Sequence, residues 1–225
     1  MSAIAARRPR AVPADSAGAA ASSARSAEGR PLQARAVRTR EAIITAAAQV
    51  FQRSGYAAAS LDEIAQAADV TKGALYFHFP SKAALAAAIL REHHAAWERT
   101  AAAAPTWNLN ALDTLERMLR ETTRSYQTSV VAQAGVRLGN EQSQIDTDIE
   151  LPVPFVGWIE RVTRLLQAGQ QDGSVVTSLN TAAAARVLVA SFFGIQEVSA
   201  RLTGRADLRK RIDEWWRLIR PVLSG

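Results

Sequence analysis

Apolar positions recur along most of the chain at helical spacing, and no sustained alternation of period two calls for a strand. Ile43, Ile44, Ala47, Val50 and Phe51 form the first stripe, which Gly55 stops. Ser60-Leu61-Asp62-Glu63 reads as a capping box: the serine caps the first turn and the glutamate reaches back. A short helix to Ala68 follows. Thr71 caps a second one, Lys72 to Phe79, which Pro80 closes. Ser81 opens a long helix through Trp97 to about Ala103. Further on, Leu112, Leu115, Leu119, Thr122 and Tyr126 share one helical face, and Val131 to Gln142 forms a weaker helix. Pro152 and Pro154 mark a break. Phe155, Trp158, Ile159, Val162, Leu165 and Leu166 make the next apolar face, ending near Gly173. Asn180 begins a helix bearing Leu188, Phe192, Ile195 and Val198, and Leu208, Ile212, Trp215, Trp216, Ile219 and Val222 line the last. The pattern is all-α: an N-terminal three-helix unit followed by a larger helical domain.

Composition separates off the first stretch. Residues 1–34 are mostly alanine, serine, arginine, proline and glycine, which bury too little to offset ordering entropy, so they are expected to be a disordered arm. The arm is either inert or a source of arginines attracted to phosphate. The expected division is 1–34 for the arm, 35–82 for the small helical unit and 83–225 for the larger domain. Charge sharpens this. The chain carries a formal +6, and residues 1–34 hold five arginines against Asp15 and Glu28. The last 143 residues are almost balanced, with 16 basic side chains against 15 acidic. A surface for a polyanion is therefore sought near the N-terminus.

Two short helices joined by a tight turn fit a helix-turn-helix. Ala65 is the small residue at the crossing, Asp69 the turn residue that tolerates a left-handed backbone, and Leu75 the inward anchor. Phe77 is expected in the core beside Leu75. Thr71, Lys72, Gly73, Tyr76 and His78 face outward on the second helix. Gly73 and Ala74 permit close approach to DNA. Thr71 and the helix N-terminus suit phosphate, Lys72 brings charge, and the Tyr76 hydroxyl is a neutral donor. His78 is either a contact or a surface histidine. A plain helical hairpin is the competing reading of the motif taken alone.

Its surroundings decide between them. Thr39 through Ile44, Phe51, Gly55-Tyr56, Ser60-Leu61, Ile64-Ala65 and VTKGALYFHFPSKAAL at 70–85 resemble the DNA-binding domain of the tetracycline-repressor family, over roughly residues 36–90. Lys72 to Phe79, Ala134-Gly135-Val136-Arg137-Leu138 and PVPFVGW ending at Trp158 resemble its γ-butyrolactone receptor branch. The resemblance implies a homodimeric repressor on double-stranded operator DNA. Thr71, Lys72, Tyr76 and His78 would contact the operator, Lys82 its backbone, and Arg35, Arg38 and Arg40 a phosphate or the minor groove. Trp158 would close a pocket for a small apolar signal. By helical face Trp97, Leu115, Leu119, Tyr126 and Val162 would wall it, with Gln133 and Thr163 as polar contacts. For each apolar one, ordinary core packing is the commoner reading. Dimerisation would use the last two helices, where Phe192, Phe193, Trp215, Trp216 and Ile219 offer a large apolar surface, or else complete the chain's own core.

Other classes find little support. There is no cysteine, and no phosphate loop or dinucleotide fingerprint, so neither an enzyme nor a cofactor is expected. Adjacent His93 and His94 point to different sides of a helix and make a poor metal pair. Glu141, Asp146, Asp148 and Glu150 read as a solvated loop, with a metal site as the alternative. The N-terminus lacks the apolar run of a signal peptide. The stretch Ala182 to Ile195, interrupted by Arg186, is expected to be too short to span a bilayer. The expected location is the cytoplasm. Two rivals stay open: a receptor-like regulator answering another metabolite such as an antibiotic, and a nonspecific DNA-packaging protein.

Overall fold

The computed structural model describes residues 17–153 and 155–225, with side chains from Gln33 onward. The described elements are helical: α1 (Ala17–Ala58), α2 (Leu61–Ala67), α3 (Lys72–His78), α4 (Lys82–Ala103), α5 (Ala111–Thr128), α6 (Val130–Asn140), α7 (Val156–Asp172), α8 (Thr181–Thr203) and α9 (Leu208–Ser224). The described residues divide into two compact units, with the boundary between Glu41 and Ala42.

In the first unit, α1 begins at Ala17, inside the segment expected to be a disordered arm. Alanine is the best helix former, and alanine dominates there. Residues 1–16 of that segment lie outside the described residues.

The second unit has two apolar cores. The first gathers Ile43, Phe51, Ile64, Leu75, Leu85 and Ile89, together with Ala134, Leu138 and Ile145. It binds the helix-turn-helix to the first half of α4 and to α6. The second gathers Trp97, Leu112, Leu115, Tyr126, Trp158, Phe192 and Trp216 from the remaining helices. Helix α4 therefore belongs to both cores.

Local chemistry sets the boundaries. Gly55 breaks α1 with φ 80° and ψ 176°, a backbone region that only glycine adopts cheaply. Ser60, Thr71, Ser81, Ser129 and Asn180 each accept a hydrogen bond from the backbone N–H three residues on, capping α2, α3, α4, α6 and α8. The capping box at Ser60 is only half formed. The Glu63 carboxylate turns to Arg53 at 2.5 Å instead of reaching back, because a cation offers it the stronger bond.

Helix α8 is long and apolar enough, by length and composition, to cross a membrane. The apolar stretch was expected to end at Ile195, but Val198 and Leu202 extend it along the same helix. Here α8 packs against α7 and α9.

Candidate DNA-reading head and ligand cavity

The reading head is built on α2 and α3. Asp69 takes φ 52°, the left-handed geometry expected of the turn residue. Leu75 is fully buried and pins α3 to the head. The Thr71 hydroxyl accepts from Ala74 N at 3.2 Å, which leaves its own proton to donate outward. Thr71, Lys72, Gly73 and Tyr76 are exposed and His78 is half-buried. A Cβ built on Gly73 meets nothing within 4 Å, so α3 offers an open face there. Lys72 Nζ pairs with Asp62 on α2 at 2.6 Å, and that contact raises its pKa. A phosphate would have to take the ammonium from Asp62.

One expectation needs correction. Phe77 is 83% exposed and stands edge-on to His78, with ring centroids 5.2 Å apart. Two residues along a helix turn about 200°, so Leu75 and Phe77 cannot both face inward. Lys82 is bonded within the protein. Its Nζ donates to the carbonyls of Tyr56 and Ala59 at 2.9 Å and Ala57 at 3.3 Å, and it sits 4.6 Å from the Tyr56 ring centroid. All three ammonium protons are spent on closing the end of α1. Arg35, Arg38 and Arg40 are exposed on the first unit.

Three small cavities border Trp158, a residue of the second core. Its indole stacks on Trp97 with centroids 3.6 Å apart and planes 11° apart, and Phe192 and Phe193 flank it. One cavity, about 20 Å³, has a wall that includes Trp97, Leu115, Leu119, Trp158 and Val162. Met118, Leu188, Val189 and Phe192 complete it. A second, about 60 Å³, lies between α4, α6 and the start of α7, with His93, Gly135, Gln142, Phe155 and Trp158 among its walls. A third, about 40 Å³, reaches His93, Trp97, Tyr126 and Trp158.

Gln133 and Thr163, expected as polar contacts, bond to nearby carbonyls. Gln133 Nε2 donates to the Tyr126 carbonyl at 2.9 Å, and Thr163 Oγ1 donates to the Ile159 carbonyl at 2.7 Å; neither residue lines the three cavities. A polar side chain near a helix backbone satisfies itself locally when it can. Instead, His93 Nδ1, Trp97 Nε1, Tyr126 Oη and Gln142 Oε1 are buried without a hydrogen-bond partner among the described residues. Each such group costs roughly 1–3 kcal/mol, which a ligand with matching donors and acceptors would return. Burial pushes the Tyr126 phenol up, so it stays a neutral donor. Burial, aided by His94, pushes His93 down to about 4, so its ring is neutral at pH 7.

This sets a pH dependence. The folded pKa of His93 lies below its ordinary 6.5, so between those values the unfolded chain binds more protons. Its contribution is intact above pH 6.5 and is lost as pH falls toward 4, by on the order of 3 kcal/mol. Melting temperature measured from pH 7.5 to 4.5 is expected to fall more steeply for the wild type than for His93→Asn; parallel curves would refute the burial account.

The expected dimer residues are also redistributed. Phe192 is 1% and Trp216 5% exposed, both inside the second core, while Phe193, Trp215 and Ile219 pack partly against it. Wide rings are needed to fill the space among α5, α7, α8 and α9. The exposed apolar side chains of the last two helices are aliphatic: Val187, Val198 and Leu202 on α8, Leu218 and Val222 on α9. Among the described residues no three histidine or acidic side chains gather as a metal site. Glu141, from the acidic run, is held by Arg137 at 2.9 Å and by Tyr56 N at 2.7 Å.

Known proteins share this arrangement. Residues 43–89 match the family described as bacterial regulatory proteins, tetR family, and residues 109–224 match the tetracyclin repressor-like C-terminal domain. The chain is 40% identical to the A-factor receptor protein of Streptomyces griseus over 85% of its own length and 66% of that receptor, just under two thirds of it. A crystal structure of a gamma-butyrolactone receptor superposes with TM-score 0.71 at 34% identity, covering 83% of this chain and 88% of that one. CprB from Streptomyces coelicolor, solved with its operator sequence, superposes with TM-score 0.74 at 34% identity, covering 82% and 88%.

Proposed function

Because the chain belongs to the TetR family of bacterial regulatory proteins, we propose that it is a cytoplasmic, homodimeric repressor released from its operator by a small signal of the γ-butyrolactone, butenolide or furan class, in control of secondary metabolism. The observation that carries this reading is the set of cavities around Trp158, apolar on the α8 side and bearing unpartnered His93 and Gln142 atoms on the α6 side. A ligand with a short apolar tail and a compact, neutral polar head complements it. The relatives named for A-factor and for γ-butyrolactone point to the same class. No enzyme chemistry is assigned to it.

Thr71, Lys72, Gly73, Tyr76 and His78 read the operator, and Arg35, Arg38 and Arg40 add phosphate attraction. Lys82 positions the head. The aliphatic stripes on α8 and α9 supply the dimer face, which brings a second half-site into register. Ligand entry parts Trp158 from Trp97 and favours a conformation whose two heads no longer match the operator. Driving that equilibrium from 1:99 to 99:1 needs about 5.5 kcal/mol of preference for the released state.

Lys72→Ala and Tyr76→Ala test the head. Each is expected to weaken operator binding about 10-fold with dimerisation intact, and Lys72→Ala to lower the salt-dependence slope by about 1. Wild-type affinity in both variants, measured by fluorescence anisotropy, would remove α3 from the interface.

A further inference from the structure

The segment Ala134-Gly135-Val136-Arg137-Leu138 lies on α6, and Arg137 has no part in the cavity or in the DNA-facing surface described above. Its guanidinium reaches across to the end of α1. Nη1 donates to the carbonyls of Gln52 at 2.9 Å and Arg53 at 3.1 Å, just before Gly55 breaks the helix. Nε donates to Glu141 Oε1 at 2.9 Å, one turn further along. Glu141 Oε2 accepts from Tyr56 N at 2.7 Å, just past the break. One pair of side chains thus holds the backbone on both sides of Gly55. The fit is close: a Cβ on Gly55 would lie 2.8 Å from Arg137 Nη2 and from Glu141 Oε1.

The same short helix walls the cavity of about 60 Å³ beside His93 and Trp158. Gly135, Val136, Gly139 and Asn140 line it, followed by Gln142. At Gly135 it lies so near α4 that a Cβ would come within 2.5 Å of His93 Cβ, so α6 cannot give way toward α4. A ligand that enlarges this cavity therefore pushes α6 along or away from α4. Any such movement pulls on the end of α1, which leads through Tyr56 and Ala59 into α2. Lys82 joins that segment to the start of α4 as well.

We propose that Arg137 and Glu141 are a positioning pair that transmits occupancy of the cavity to the reading head by tying α6 to the end of α1. This rests on the ligand-released reading above. A purely structural tie would affect stability alone. A transmitting one also changes how far the ligand alters operator affinity.

The test uses the full chain with Arg137→Met, Arg137→Lys and Glu141→Gln. The probe is a γ-butyrolactone carrying a six-carbon acyl chain. Probe binding is read from tryptophan fluorescence, and operator affinity from anisotropy with and without saturating probe. Arg137→Met is expected to bind the probe as the wild type does, while the ratio of operator affinities without and with probe falls at least 10-fold. Arg137→Lys, which keeps a donor for the carbonyls, should restore the ratio to within about threefold of wild type. A wild-type ratio in Arg137→Met at unchanged probe affinity would overturn the proposal. If Arg137→Met fails to fold, Glu141→Gln is judged by the same criterion. If the wild type itself does not bind the probe, the proposed ligand class fails separately. Hydrogen exchange and probe-free affinity then judge the pair: faster exchange at Tyr56 and at least 10-fold weaker operator binding in Arg137→Met support it, and unchanged values overturn it.

Discussion

Gly55→Ala is expected to destabilise the protein by roughly 3 kcal/mol, a drop in melting temperature of about 6–12 °C. Two costs combine. The residue sits at φ 80° and ψ 176°, where an L side chain is strained by about 1–3 kcal/mol. Its new methyl group would also press on Arg137 and Glu141. Those side-chain ends can swing aside, but only by giving up the carbonyls of Gln52 and Arg53 and the N–H of Tyr56. Gly73→Ala is the control, since nothing lies within 4 Å of its Cβ and φ there is ordinary. Its melting temperature should be unchanged or slightly raised. Equal melting temperatures for the two variants would refute this account of the α1 terminus.

Trp158→Ala is expected to weaken binding of the butyrolactone probe at least 100-fold while operator binding persists. Trp158 borders all three cavities, and its stack on Trp97 separates the apolar space from the one beside His93 and Gln142. Removing the indole merges these spaces and takes away the surface against which a ligand is held. Stability should fall by about 3–5 kcal/mol, as for other large aromatics truncated in a core. Isothermal titration calorimetry with the probe and anisotropy with the operator separate the effects. Release by the probe at wild-type concentration would take Trp158 out of the ligand site.

The starts of α2, α3, α4 and α8 were legible in the sequence because they depend on local chemistry. A serine, threonine or asparagine three residues before the N–H it serves is a signal contained in four residues. The turn at Asp69 and the break at Gly55 were legible for the same reason. Longer helices showed their inward faces through repetition, which is why Leu115, Leu119 and Val162 were found. Met118 was missed although it lies on that face. Phe77 was misplaced because α3, at seven residues, is too short for repetition to reveal its inward side.

The other errors have a common origin in tertiary choice. Nothing local indicates whether Phe192 turns toward Trp158 or toward a second copy; the space beside Trp158 decides. Nothing local indicates that Lys82 would close α1, or that Glu63 would prefer Arg53 to its own helix. The polar groups of the cavity were missed because Gln133 and Thr163 look like ligands in sequence but are satisfied by nearby carbonyls. His93 was considered only as a metal ligand, whereas its burial against Tyr126 keeps its ring neutral beside the cavity.

The most direct test of the account is an anisotropy titration of the purified chain on DNA from the promoter region of its own gene, with and without a panel of γ-butyrolactones, butenolides and alkyl furans. The account predicts sequence-specific binding that one member of the panel reverses in wild type but not in Trp158→Ala. Sequence-specific binding that no member reverses would contradict the proposed ligand class and favour a receptor-like regulator of another metabolite, while binding without sequence preference would contradict the repressor itself.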